Sequence, residues 1–456
     1  GIVIDAGSSH TSLFIYKWDR DKENKTLVIK QTFSCNVQGQ GISSYANDPP
    51  KAGASLRECL ERALEVVPAV KGRRVSAFLG ATAGMRLLRQ KNSSAADQIM
   101  AGVAKTMREY PVDFHGARII TGQEEGAYSW MAINYLIDSF PKNSSKEETR
   151  VPPEMANTFG ALDLGGESTQ ISFIPKSSVL NWNEVSKVTL YGYNYNIYTQ
   201  SYLCYGQNEV LKRLAQTLIE VRGKPTQVGH PCYPKNYRES IWLSSLHTTP
   251  CIMQNDLHAA LADRRVTLEG KGNAKRCRAV IRKMLNFSTC GQSQESPFLG
   301  AYEPAVGRQF FAFSGFYYTF HFLNLTGQQS LGHVNSTVWA FCNNTWNELV
   351  EDFPQETERL HTYCSIALYI LTLLLDGYKF DEHTWSGIHF SKKAANTDIG
   401  WTLGFMLNLT NMIPTEALVH VKGQQPGLWA SAIFFIALAT VAGLMAIFLL
   451  CFWKSK

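Results

Sequence analysis

Two segments 158 residues apart carry the same short pattern. IVIDAGSSHTS (2–12) and ALDLGGESTQ (161–170) each run an apolar strand up to one Asp, pass one residue, and enter a turn of Gly and small side chains. Asp5 aligns with Asp163, and Gly7 with Gly165. A repeat at so long a spacing predicts duplicated half-molecules that face each other rather than a solenoid. The stretches between alternate between strand and helix. Val75–Leu79 and Ala117–Ile120 read as strands, and 55–67, 95–110 and the run through Tyr135 read as helices. The expected class is therefore α/β.

A small-residue turn after a strand aims several backbone N–H groups at one point, a concavity suited to phosphate oxygens. Two such turns on opposed halves would clamp a polyphosphate. An Asp at each strand end would repel phosphate unless a divalent cation bridged them, held by carboxylates, water and phosphates. For either copy alone a plain structural turn is the simpler reading; the matched pair favours phosphate and metal. Hydrolysis would further need a base. TGQEEG (121–126) puts Glu124 and Glu125 on a strand-to-helix turn, where acids also serve merely to complement the helix dipole. The residues alone leave both readings open. GATAGMR (80–86) is a third such turn: Thr82 could reach a phosphate oxygen or simply cap a helix, and Arg86 could position the turn.

Further along, 141–153 reads as a linker, Thr158–Leu162 as a strand and Leu203–Val221 as a helix. Residues 231–304 are irregular and hold four cysteines, which suggests a disulfide-tied insertion. Phe310–Leu325 is strongly aromatic, Ser365–Leu375 is a buried-helix candidate, and Ile399–Leu409 has helical spacing. Leu428–Trp453 is 26 residues without a charged side chain, enough for a helix to cross the ~30 Å hydrocarbon layer. Trp429 and Trp453 lie near its ends, and Lys454 and Lys456 follow, which predicts a cytoplasmic tail at 454–456 and an external body. N-x-S/T triplets at Asn24, Asn92, Asn143, Asn286, Asn324, Asn335, Asn343 and Asn408 agree with an external glycoprotein. Ala432, Ala439, Gly443 and Ala446 give the span a small-residue face through which copies could pack as a homo-oligomer. A net charge of +6 spread over 456 residues argues against a nucleic-acid binder.

DAGSSHTS, GATAGMR, TGQEEGAYSW, ALDLGGESTQ and DIGWTLGFMLNLTNMIP (398–414) together resemble, in order, the five conserved regions of the ecto-nucleoside triphosphate diphosphohydrolases, or ecto-apyrases, and of their plasma-membrane branch. The resemblance implies two actin-like, RNase-H-like domains with the nucleotide in the cleft between them. One would be 1–121 with a return at 392–425, the other 122–391, followed by the transmembrane helix 428–453. The family's N-terminal membrane helix would precede Gly1. The implied activity is Ca2+- or Mg2+-dependent hydrolysis of extracellular nucleoside tri- and diphosphates at the cell membrane. The rival readings are a non-catalytic cell-surface glycoprotein and an actin-like phosphotransferase.

The resemblance also implies roles. Glu125 would be the base, Asp5 and Asp163 would orient the water shell of the metal, and Ser168 and Gln170 would hold the attacking water. Ser8, Ser9 and His10 would form the first phosphate loop and Gly165 and Gly166 the second, with Thr82 and Ala83 adding a contact. Tyr318, Arg359 and Tyr363 would hold the base, although Tyr318 also fits an aromatic core within FAFSGFYYTF. Trp401 would be mainly packing. Two departures stand out: Glu167 replaces the usual Ala of the second loop, and Gln207–Asn208 replace a basic–acidic pair. The implied disulfides are Cys35–Cys59, Cys204–Cys251, Cys232–Cys277 and Cys342–Cys364. Cys290 lacks its expected partner, which leaves it free or paired between chains, and Cys451 lies inside the span.

Overall fold

The computed structural model describes residues 1–20, 27–67, 74–140, 158–175, 185–190, 193–220, 226–252, 264–286, 309–412 and 426–453. Asn24, Asn143, Cys290, the 141–153 linker and the 454–456 tail lie outside the described residues. One compact unit spans 1–408 and a second spans 409–456.

The duplication read from the repeat is visible as two sheets of matching topology. The first five strands are β1 (Ile2–Ala6), β2 (Thr11–Arg20), β3 (Leu27–Asn36), β4 (Val75–Ala81) and β5 (Val112–Ile119), and they form a sheet in the order β3-β2-β1-β4-β5. Later strands are β6 (Gly160–Leu164), β7 (Ser168–Phe173), β8 (Val185–Leu190), β9 (Tyr193–Leu203), β10 (Gln227–His230), β11 (Arg238–Trp242), β12 (Arg265–Gly270), β13 (Phe310–Ser314) and β14 (Ile388–Phe390). Six of these make the second sheet, in the order β14-β13-β6-β7-β9-β8. In each sheet the strand bearing the Asp forms an antiparallel hairpin on one side and a parallel pair on the other. Asp5 faces Ser12 of β2 and Gly80 of β4. Asp163 faces Gln170 of β7 and Phe313 of β13. This equivalence carries both aspartates to the same end of their sheets, beside the following turns.

Each sheet has its own apolar core. Ile2, Ile4, Leu13, Leu60, Leu79 and Ile99 belong to the first, and Leu162, Phe173, Leu214, Phe310, Phe316 and Leu368 to the second. The Gly122–Leu136 helix follows β5 of the first sheet in sequence but packs on the second. Its Gly126 lies so close that a Cβ there would meet Ser172 Oγ at 2.4 Å and Thr199 Oγ1 at 2.5 Å. On its other side, a Cβ on Gly404 of the Trp401–Met412 helix would come within 1.8 Å of the Tyr128 carbonyl oxygen. Backbone contact between these two helices is possible only with Gly at the crossing.

Some expectations need correction. Leu203 ends β9, and the helix that follows begins only at Gln207, because β9 continues the hairpin ladder through Leu203 opposite Ser168. The stretch from 231 is not irregular throughout. It contributes β11 and β12 to a three-stranded sheet, in the order β10-β12-β11, and a helix at Ala274–Leu285. Strands of four to six residues with few apolar side chains, such as RVTLEG, give too little alternation to be read. Phe310–Leu325 divides into β13 and the Gly315–Phe322 helix. The buried helix runs Tyr363–Thr372 and is buried almost end to end.

Cys35–Cys59, Cys204–Cys251, Cys232–Cys277 and Cys342–Cys364 are all bonded. The Pro426–Trp453 helix is 28 residues long, about 42 Å at 1.5 Å per residue. Phe434, Phe435, Ile436 and Leu444 on it are exposed. Leu360–Gly377 is also apolar enough to span a bilayer, but it is mostly buried in the body.

Candidate active site

Thr121 and Glu124 settle which of the adjacent acids belongs to the helix. The Glu124 side chain accepts the Thr121 N–H at 2.9 Å, the Thr121 hydroxyl accepts the Glu124 N–H at 3.1 Å, and Arg118 donates twice to Glu124 at 2.8 and 2.9 Å. Glu124 is thus a capping-box residue. One position on, Glu125 turns inward and is buried.

Glu125 meets groups from both halves. Arg86, on the helix after the GATAG turn, donates to Glu125 Oε2 at 2.9 Å, to Ser168 Oγ at 3.1 Å and to the Ile120 carbonyl at 3.0 Å. Gln170 Nε2 lies 3.3 Å from the same Glu125 oxygen, 2.6 Å from Ser168 Oγ and 3.1 Å from Ser201 Oγ. Glu125, Ser168 and Gln170 therefore form one hydrogen-bonded cluster. Arg86 and Ser201 complete it, and sequence reasoning had not placed either there. The Arg at the end of GATAGMR was the available signal for the first; Ser201, in a strand that went unread, offered none.

Asp5 and Asp163 border the cluster. Burial first, and the charge of Glu125 second, push the Asp5 carboxyl up to about 7. The Trp401 indole N–H lies near enough to favour its charged form, without closing a full hydrogen bond. Trp401 otherwise packs: a Cβ on Gly80 would strike its ring at 2.3 Å. Asp163 is also shifted upward, again by burial and then by Glu125, with Arg86 opposing. Three carboxylates face one guanidinium, and Asp5 Oδ1 and Gln170 Oε1 are buried without a partner. This deficit of positive charge suits a divalent cation. Among the described residues no three His, Cys, Asp or Glu side chains converge as a direct cage, so a cation here fits the carboxylate–water–phosphate mode.

The turns sit around this centre. Ser9 Oγ and His10 Nδ1 are 3.1 Å apart on the exposed rim. Burial, and then the charge of Arg359, lower the His10 imidazole, which places Arg359 toward the first loop. Thr82 is the N-cap of the Ala83–Lys91 helix, its carbonyl accepting from the Met85 and Arg86 N–H groups, while its hydroxyl makes no capping bond. The Gly165 N–H donates to the Ser168 carbonyl at 2.9 Å, so its donor shapes the second turn. Tyr318 is exposed, with the Lys392 ammonium 6.0 Å from its ring centre; it is not a core residue. Tyr363 stacks on Phe322 with centroids 3.8 Å apart and donates to Glu356 at 3.0 Å.

The GDA1/CD39 (nucleoside phosphatase) family model matches residues 1–422. This chain belongs to that family. Among nucleoside phosphatases it is similar to the ectonucleoside triphosphate diphosphohydrolase 8 of Gallus gallus, 56% identical over 100% of this chain and 92% of that protein. The protein of the same name from Homo sapiens is 45% identical over 99% of this chain and 91% of its own length. Among solved structures, the nucleoside triphosphate hydrolases from Neospora caninum match with a TM-score of 0.63 at 16% identity, covering 89% of this chain and 91% of that one, a likeness of fold.

Proposed function

We propose that this chain hydrolyses the terminal phosphate of nucleoside tri- and diphosphates, with Glu125 as general base and a divalent cation as cofactor. Membership of the nucleoside phosphatase family makes it a hydrolase of the apyrase type. The observation that carries the finer reading is the buried junction of Glu125, Ser168 and Gln170, which lies beside Asp163 and beside Asp5, one of whose oxygens is buried without a partner.

Ser168 and Gln170 hold a water against Glu125. Glu125 takes a proton from that water as its oxygen bonds to the terminal phosphorus, and the bond from phosphorus to the bridging oxygen breaks. The products are inorganic phosphate and a nucleotide one phosphate shorter. The first loop (Ser8, Ser9, His10), the second loop (Gly166, with Gly165 shaping it) and Thr82 with Ala83 align the phosphates, so that catalysis is positioning and electrostatic stabilisation. Asp5 and Asp163 would hold Ca2+ or Mg2+ through its water shell; the cation neutralises phosphate charge when bound. Tyr318, Tyr363 and Arg359 remain the candidates for the nucleoside end. The two halves, 1–121 with 392–425 and 122–391, would be the lobes around this cleft. The apolar helix from Pro426 to Trp453, with its exposed side chains, supports a membrane anchor, and the lysines after it and the N-x-S/T triplets before it support a body outside the cell.

The test is phosphate release from ATP and ADP without any acceptor. Glu125→Gln is expected to abolish release while nucleotide still binds. Near-normal release in that variant would overturn the assignment, and transfer only to an added acceptor would favour a phosphotransferase.

A further inference from the structure

The second phosphate-type turn carries a side chain that hydrolysis does not use. Glu167 follows Gly166, and its backbone is pinned there. The Cys204 N–H donates to its carbonyl at 2.8 Å, and the Asn208 N–H donates to the Gly166 carbonyl at 2.8 Å. Gly206 packs so tightly that a Cβ on it would lie 2.3 Å from the Glu167 nitrogen. The side chain therefore stays beside the loop. Burial first, and the charge of Glu209 second, raise the Glu167 carboxyl above its usual value, while the Lys212 ammonium and then the Ser8 hydroxyl of the opposite loop favour the charged form. The loops meet here: a Cβ on Gly166 would lie 2.5 Å from Ser8 Oγ and 2.8 Å from Asn208 Nδ2.

The Lys212 ammonium acts on this carboxylate but makes its close contact elsewhere. Glu209, with 1% of its side chain exposed, sends one oxygen to the Lys212 ammonium at 3.0 Å, while its other oxygen is buried and unpartnered. Glu167 Oε2 is buried and unpartnered as well. Two carboxylates share one ammonium, and one negative charge is left over against the phosphate loops.

Resting on the reading of Ser8 as a phosphate contact, we infer that Glu167 is a specificity-determining residue that restrains binding of the phosphate chain, and restrains triphosphates more than diphosphates. Its carboxylate follows the glycine that packs against the Ser8 hydroxyl, the group a phosphate oxygen would use, and adds like charge beside the bound chain. The magnesium complex of a triphosphate has about twice the net negative charge of the diphosphate complex, and Coulomb repulsion scales with that charge. A penalty of about threefold in affinity for the diphosphate thus becomes about tenfold for the triphosphate.

The experiment uses the full chain in detergent and follows phosphate release from ATP and from ADP at one fixed concentration of free Mg2+. Glu167→Ala and the near-isosteric Glu167→Gln are each compared with the unaltered enzyme, and again in a Ser8→Ala background. The expected result is a KM lower by about tenfold for ATP and about threefold for ADP, with kcat within about twofold, and a relative gain of the same order in the Ser8→Ala background, where the charge is removed without the hydroxyl. KM values that stay unchanged, or that fall equally for both nucleotides, overturn the inference and leave the proposed function standing. A rise in KM overturns it too, since the carboxylate would then be assisting substrate or cation binding. If the unaltered enzyme releases phosphate from neither nucleotide, the proposed function falls and takes this inference with it.

Discussion

Arg86 is the cation whose loss should cost this site most. Its guanidinium bonds Glu125, Ser168 and the Ile120 carbonyl together, and only 14% of its side chain and 10% of that of Glu125 are exposed. Arg86→Ala leaves three carboxylates with no positive partner in the cluster. Removing one member of a buried ion pair typically costs about 3–5 kcal/mol, because the other charge stays buried and unpaired. Partial exposure brings the expectation to about 2–4 kcal/mol. The same loss frees Glu125 and Ser168 from their common anchor, and a kcat lower by about 10²–10³-fold corresponds to about 3–4 kcal/mol of transition-state stabilisation. Arg86→Lys keeps the charge but lacks the planar fork that reaches all three acceptors, so its kcat should fall between the two. The assay is kcat and KM for ATP beside thermal unfolding, repeated in a Glu125→Gln background. If Arg86 acts through Glu125, its removal costs almost nothing further there, since residues working as a unit are non-additive. An Arg86→Ala enzyme with lowered stability but kcat within about threefold of normal would refute this reasoning and leave Arg86 a structural tie.

Two other outcomes follow from the same structure. The Asp5 carboxyl, raised to about 7 and thus above its unfolded value, binds more protons folded than unfolded, so its contribution to stability falls as pH rises from about 4 through 7; Asp163 acts in the same direction. The rise in melting temperature on adding Mg2+ to EDTA-treated protein should therefore be larger at pH 8 than at pH 5, and an equal rise at both would count against a cation at these carboxylates. Taking that difference at each pH cancels buried His230, whose lowered value, about 3, makes stability fall in the opposite direction as pH drops below its ordinary range. For glycosylation, peptide mass mapping should find glycan at exposed Asn324 and Asn343. It should find none at half-buried Asn335, whose Oδ1 is buried, or at Asn408, which is half-buried within a helix; a glycan on either would contradict their placement.

What was legible in the sequence was whatever rests on local chemistry repeated in two places. The two Asp-bearing strands and their turns could be aligned without a structure because a hairpin beside a parallel strand needs the same residue types both times, and the matched sheet orders follow from that duplication. Four cysteine pairs came from resemblance, and the structure bonds all four. The choice between Glu124 and Glu125 was not legible. Both fit the first turn of a helix, and only the side chains of Thr121 and Arg118, closing on Glu124 from one side, show that its neighbour is free to meet Arg86 and Gln170. Long-range partners were hidden for a related reason. Arg86 lies 39 residues from Glu125 and 82 from Ser168 in the chain, and no periodicity reports such a meeting. Glu167 was readable as an oddity, an acid in a phosphate loop, but its consequence depends on whether Lys212 answers it. The fold gives the close contact of that ammonium to Glu209, and only the folded arrangement of the three side chains makes a charge effect on substrate a testable inference.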